Sequence, residues 1–228
     1  MPRKLYLTEE QFNEVQDNAI INNNLSNPFS FEVLNSLRSF NGKIRYCQTH
    51  LRRISSGSSR IVYQINDNAV LKLAKNSKGL AQNENEINYS NISPLFAQVY
   101  KADEDNASWI VSEYARKATA MDFRNLIGHS FKFVQEFIDA SHSQYGRYSR
   151  WDDSWSDFFE RVADCDESLP GCDFFYELNE YLTNYQLEAI GDLKRPSTYG
   201  VADRQNGEEI VIVDYGLTDD TYNQHYRR

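Results

Sequence analysis

Hydrophobic and polar positions divide the chain into two textures. From residue 43 to 116 short apolar runs alternate with polar turns, the pattern of strands. Ile61, Tyr63 and Ile65 alternate with Arg60, Val62 and Gln64, and Ala69-Val70-Leu71-Lys72-Leu73-Ala74 is a second run of the same length. The spacing predicts strands over 43–54, 60–65, 69–74, 96–102 and 109–114, with turns at Asn66-Asp67-Asn68 and at 103–106. Residues 77–92 have helical spacing that stops ahead of Pro94. Beyond residue 117 longer amphipathic segments predict helices over 118–127, 130–141, 153–163 and 172–187, with Pro170-Gly171 separating the last two. A hairpin of 198–202 and 209–213 around Asn206-Gly207 follows. Before all this, the spacing predicts a helix start at Thr8, with Gln11 closing a capping box. A further helix begins after Ser30, carries Phe31, Val33, Leu34, Leu37 and Phe40, and is closed by Asn41-Gly42. The expected class is α+β in two lobes, divided as a helical extension over 1–42, a strand-rich part over 43–116 and a helical part over 117–228.

Composition narrows this picture. With 228 residues, 40% hydrophobic and 14% aromatic, the chain can bury a core, and a mean hydropathy of -0.67 does not make it disordered. A net charge of -9 argues against tight phosphate-backbone binding by the whole surface, which makes a nucleic-acid partner unexpected while leaving room for a local basic patch. No run approaches 18 apolar residues and the first residues lack the apolar core of a signal peptide, which predicts no membrane span and a cytoplasmic setting. Cys47, Cys165 and Cys172 have no metal or disulfide spacing. The stretch from Tyr145 to Trp155 mixes aromatics with arginines and could stack on a nucleic-acid strand, but Asp152, Asp153 and Asp157 favour a packed helix start or a protein interface.

Four short segments carry candidate chemistry. Gly57, Ser58 and Ser59 lie between two strands, where small residues let backbone amides approach phosphate oxygens; they equally suit a plain turn. Lys72 interrupts an apolar strand and needs an acceptor, for which Glu84 and Glu86 on the next helix are the candidates. Asp214 ends the apolar strand Ile210-Val211-Ile212-Val213 and precedes Tyr215-Gly216, a place suited to a metal ion or to capping a turn. The polar loop Gly191-Asp192-Leu193-Lys194-Arg195-Pro196-Ser197 links a helix to a hairpin.

In order and spacing, these pieces resemble the protein-kinase-like fold over roughly residues 52–220, and small kinase-like proteins of bacteriophages in particular. The resemblance implies a minimal two-lobed fold with an antiparallel-sheet N-lobe and a reduced helical C-lobe. It implies Mg²⁺ and ATP as cofactors, with Gly57, Ser58 and Ser59 over the phosphates and Lys72 on the α- and β-phosphates, paired with Glu86. Glu113 and Ala115 would bound an adenine-binding hinge. Asp192 would align or deprotonate an acceptor hydroxyl with Lys194 beside it, and Asp214 would bind Mg²⁺ with Ser197 as a weaker second ligand. Ser197 stands where the family has Asn, Ile190-Gly191 replaces His-Arg, and the 14 residues after Asp214 leave no room for an activation segment. The implied activity is phosphoryl transfer to a protein hydroxyl in the cytoplasm, that of a host if the protein is phage-encoded. The rival is a catalytically inactive pseudokinase module that binds a protein or serves in a virion. Transfer to a small molecule, or of a nucleotidyl group, is a remoter implication.

Overall fold

The computed structural model describes residues 28–145, 153–184 and 190–225. The described chain is α+β, with an antiparallel five-stranded sheet and a helical region. It divides into two compact units. Of the described residues, those of 28–92, Ala97–Tyr114 and 223–225 form the first; those of Ser93–Phe96 and 115–222 form the second.

The first unit opens with helices α1 (Phe31–Ser36) and α2 (Phe40–His50). Strands β1 (Arg52–Ser56), β2 (Arg60–Gln64), β3 (Ala69–Ala74), β4 (Val99–Ala102) and β5 (Trp109–Glu113) then build a sheet ordered β1-β2-β3-β5-β4. Helix α3 (Ser77–Tyr89) connects β3 to the β4–β5 pair. Asn66 makes the β2–β3 turn by accepting the Asn68 amide at 2.8 Å. One face of the sheet presents Ile61, Tyr63, Ala69, Leu71, Leu73, Trp109 and Val111 to Leu34 of α1 and Cys47 of α2, and all nine are buried. Strand alternation therefore sends Val70, Lys72 and Ala74 to the opposite face, toward α3. Helices α1 and α2 brace the face that Lys72 does not use. Burial pushes the Cys47 thiol up to about 12, so this cysteine is packing rather than a nucleophile.

The strand expected over 43–54 is instead the body of α2, followed by the shorter β1, and a division at 42/43 falls inside that helix. The Ser39 hydroxyl accepts the Gly42 amide at 3.0 Å, so Asn41-Gly42 sits in a first turn rather than closing a helix. Phe40, Ile44, Cys47 and Leu51 follow at three- and four-residue spacing, which is helical. The expected strand over 96–102 shortens to β4, and Phe96 makes an isolated bridge to Ile212.

The second unit contains β6 (Arg116–Lys117), the helices α4 (Ala120–Ile127), α5 (Phe131–Tyr145), α6 (Asp153–Ala163), α7 (Cys172–Asn184) and α8 (Ile190–Leu193), then the hairpin β7 (Tyr199–Arg204) and β8 (Gly207–Ile212). A final helix α9 (Asp219–His225) follows. Thr119 and Asp122 form a capping box that starts α4, and Gly128 at φ 72° ends it. Gly171, at φ 70°, allows the α6–α7 loop to approach the end of α4; a Cβ there would lie 2.6 Å from the Ile127 carbonyl oxygen. The aromatic surplus is concentrated here. Phe133, Phe137, Phe158 and Phe159 pack edge-on or tilted against Trp155, and Phe175 packs against the first three of these, which makes the half-buried tryptophan part of an aromatic cluster. The rest of the aromatic-arginine stretch, over 146–152, lies outside the described residues, as does the capping box at Thr8 and Gln11. Among the described residues no helix is long and apolar enough to cross a membrane.

Candidate functional site

Strand β3 is buried along its whole length, so Lys72 needs compensation where it stands. Its Nζ donates to Glu86 Oε2 at 2.6 Å. Asn76 sets this up by capping α3, its side chain accepting the Gly79 amide at 3.2 Å. From that start the residues on the buried face of α3 are Gly79, Gln82, Asn83 and Glu86, three or four residues from one turn of the helix to the next. Glu84 falls on the exposed side. Of the two glutamates open to Lys72, helix periodicity selects Glu86.

Apart from the glycine, the buried face of α3 is polar, which is unusual for a helix packed on a sheet. Its partners include the first residue of β2 and the residue just before it. The Ser59 hydroxyl donates to Gln82 Oε1 at 2.6 Å. The Arg60 guanidinium lies 2.7 Å from Glu86 Oε1 and donates to Asn83 Oδ1 at 3.3 Å. Glu86 is thus fully buried between two cations, one on each oxygen. Burial drives its carboxyl up, and the charges of Arg60 and Lys72 more than reverse this, holding it below the usual carboxylate range. Arg60, Gln82 and Asn83 escaped the sequence reading. The available signal was parity: Val62 pairs with Lys72, so Arg60, two residues earlier on β2, shares the face of Lys72.

The turn over 57–59 is fastened to the two residues that lead into the same helix. Lys75 Nζ donates to the Gly57 carbonyl at 2.7 Å, Asn76 Nδ2 to that of Ser58 at 3.1 Å, and the Lys75 amide to that of Ser59 at 2.8 Å. Gly57 and Ser58 are exposed, whereas Ser59 is buried. Gly57 is not required by the backbone, since a Cβ there would meet only the Arg60 carbonyl oxygen at 3.9 Å.

At the end of β5, Glu113 is buried; its amide donates to Gln98 O at 2.8 Å and its carboxylate accepts the Gln98 amide at 3.2 Å. The Tyr114 amide donates to Asn68 O at 2.9 Å. Ala115 is half-buried and is the first residue of the second unit after that strand.

Within the second unit, three of the four polar candidates lie around the start of the β7–β8 hairpin. Asp192 is half-buried in α8; its carboxylate lies 2.8 Å from Arg195 Nη1, and its carbonyl accepts the Thr198 hydroxyl at 2.6 Å. Ser197 is exposed in the single 3₁₀ turn Pro196–Thr198. The Val213 amide donates to the Thr198 carbonyl at 2.8 Å, which sets Ser197 and the exposed Asp214 on neighbouring stretches of backbone. Tyr215, next along, is buried and stacks on Phe96 with ring centres 4.4 Å apart. Lys194 points elsewhere: its Nζ donates to both carboxylate oxygens of Asp139 on α5 at 2.7 Å.

Among the described residues no group of three or more His, Cys, Asp or Glu side chains could hold a metal ion. Asp214 with Ser197 offers one exposed carboxylate and one exposed hydroxyl, a sparse donor set. That set fits Mg²⁺, which keeps several waters and takes the rest of its ligands from phosphates, and does not fit an ion needing a full protein cage. No protein-family model matches the chain, and no curated protein matches it.

Proposed function

We propose that the chain is a minimal kinase-like phosphotransferase that uses Mg²⁺ and ATP to phosphorylate a hydroxyl on a protein. The observation that carries this reading is the buried Lys72–Glu86 ion pair between a central strand and the helix that follows it. A buried ion pair contributes little net stability compared with apolar residues of the same volume, so a lysine kept in the middle of β3 points to a ligand. Lys72 would hold phosphate oxygens, and the exposed turn at Gly57 and Ser58 would lie along them. Asp214 and Ser197 would hold Mg²⁺, which supplies charge neutralisation on the phosphates when bound. Asp192 would orient the acceptor hydroxyl and take its proton as the new O–P bond forms and the bond to the β-phosphate oxygen breaks, releasing ADP.

The second reading, a binding module without catalysis, is favoured by one observation: Asp192 and Lys194 are both engaged, with Arg195 and Asp139. Arg195 is 69% exposed and Asp192 33%, and a pair so placed is worth about 1 kcal/mol or less, which an incoming substrate displaces easily. The enzyme reading therefore stands first. Incubation with ATP labelled at the γ- or the α-phosphate tests it. Transfer of γ-label to a protein acceptor supports phosphoryl transfer, α-label means nucleotidyl transfer, and absence of both with intact nucleotide binding leaves the binding module.

A further inference from the structure

We propose that Arg60 is a positioning residue for the Lys72–Glu86 pair, holding the glutamate so that Lys72 can turn to phosphate oxygens; this rests on the nucleotide reading above. The two cations divide the oxygens of Glu86 between them. Lys72 takes Oε2 at 2.6 Å and Arg60 takes Oε1 at 2.7 Å, so neither displaces the other. They differ in freedom. Arg60 is the first residue of β2, its backbone paired with Ala74 and its carbonyl accepting the Gly57 amide at 2.9 Å. Its guanidinium also reaches Asn83 Oδ1, and Asn83 Nδ2 donates to the Ala107 carbonyl at 2.8 Å. A planar guanidinium fixed at two points of one helix face is a permanent, immobile charge, whereas the lysine ammonium rides on a flexible four-carbon stem.

A phosphate that claimed Lys72 would, without Arg60, leave the fully buried Glu86 carboxylate without either of the two cations that hold it. The cost of that uncompensated charge would come directly out of ligand affinity. With Arg60 in place, Glu86 keeps a partner and α3 keeps its hold on β2. Lys72 is then released at low cost.

The test is Mg-ATP binding by calorimetry on the full chain in wild type, Arg60→Lys, Arg60→Met and Arg60→Met/Glu86→Gln. Arg60→Met leaves Lys72 and Glu86 as a matched pair and weakens binding by about tenfold or more. Arg60→Lys restores a cation and stays within about threefold of wild type. The double variant frees Lys72 from the carboxylate and recovers most of the loss. Unchanged binding in Arg60→Met overturns the proposal. A double variant as weak as Arg60→Met also overturns it, because Arg60 would then touch the ligand itself. Amide hydrogen exchange on the apo protein provides an independent reading. Arg60→Met must speed exchange around Glu86 in α3; unchanged protection there overturns the positioning role whatever the nucleotide result. Wild type that binds no Mg-ATP, with exchange raised in Arg60→Met, condemns the nucleotide reading alone.

Discussion

Removing Lys72 and removing the charge of Glu86 should have unequal consequences for stability. In Lys72→Met the carboxylate keeps Arg60 at 2.7 Å, so the buried group stays neutral as a pair, and methionine retains most of the stem's packing. The expected loss is about 1–2 kcal/mol, that of a charge-assisted hydrogen bond partly offset by apolar burial. In Glu86→Gln the two side chains left behind, 6% and 8% exposed, are cations with their shared carboxylate gone. Breaking a buried pair in this way costs about 3–5 kcal/mol. At about 2–4 °C per kcal/mol for a chain of this size, the Tm should fall by roughly 2–8 °C for Lys72→Met and roughly 6–20 °C for Glu86→Gln. Calorimetric scans of the ligand-free variants at pH 7 and equal protein concentration measure both. Equal falls, or a larger fall for Lys72→Met, would refute the claim that Arg60 is a sufficient partner for Glu86.

Gly57→Ala should leave the Tm within about 1 °C of wild type, because a Cβ there makes only an ordinary contact with the Arg60 carbonyl oxygen at 3.9 Å; Mg-ATP affinity, measured in parallel, should fall if the turn lies along phosphates. Leu71→Ala, in the fully buried core beneath α1 and α2, should cost about 2–5 kcal/mol by urea denaturation without changing nucleotide affinity. His129, packed among Phe133, Phe158 and Phe175, has its imidazole pKa lowered from 6.5 by burial. The unfolded chain therefore takes up a proton first, and stability should decline as pH falls below 6.5, an effect absent in His129→Gln on comparing urea midpoints at pH 7.5, 6.0 and 5.0. A separate loss should follow below pH 4.5, where the unfolded Glu86 carboxyl protonates while the native one, held lower, resists; Glu86→Gln should lack it.

Sequence alone revealed the strands with clear alternation. Ile61 and Tyr63 point into the core as their parity predicts, and β3 occupies the expected residues because six apolar-flanked positions between turns leave little choice. Asn41-Gly42 misled, since the Ser39 hydroxyl turns a common turn signal into the first turn of α2. The same kind of local competition obscured the buried face of α3. Gln82, Asn83 and Glu86 look like a solvated stripe until Ser59 and Arg60, more than twenty residues earlier, are found against them. No window along the chain contains both halves of that network. The gathering of Asp192, Ser197 and Asp214 was also hidden, because it depends on Thr198 bonding both to Asp192 and to Val213.

A thermal-shift titration with ATP, with and without Mg²⁺, on wild type and Asp214→Asn tests the central claim most directly. A working nucleotide site predicts stabilisation that grows with ATP, reaching about 2.7 kcal/mol at a hundred times Kd, requires Mg²⁺ and is lost in Asp214→Asn. No shift at millimolar ATP, or the same shift in the variant, would contradict it.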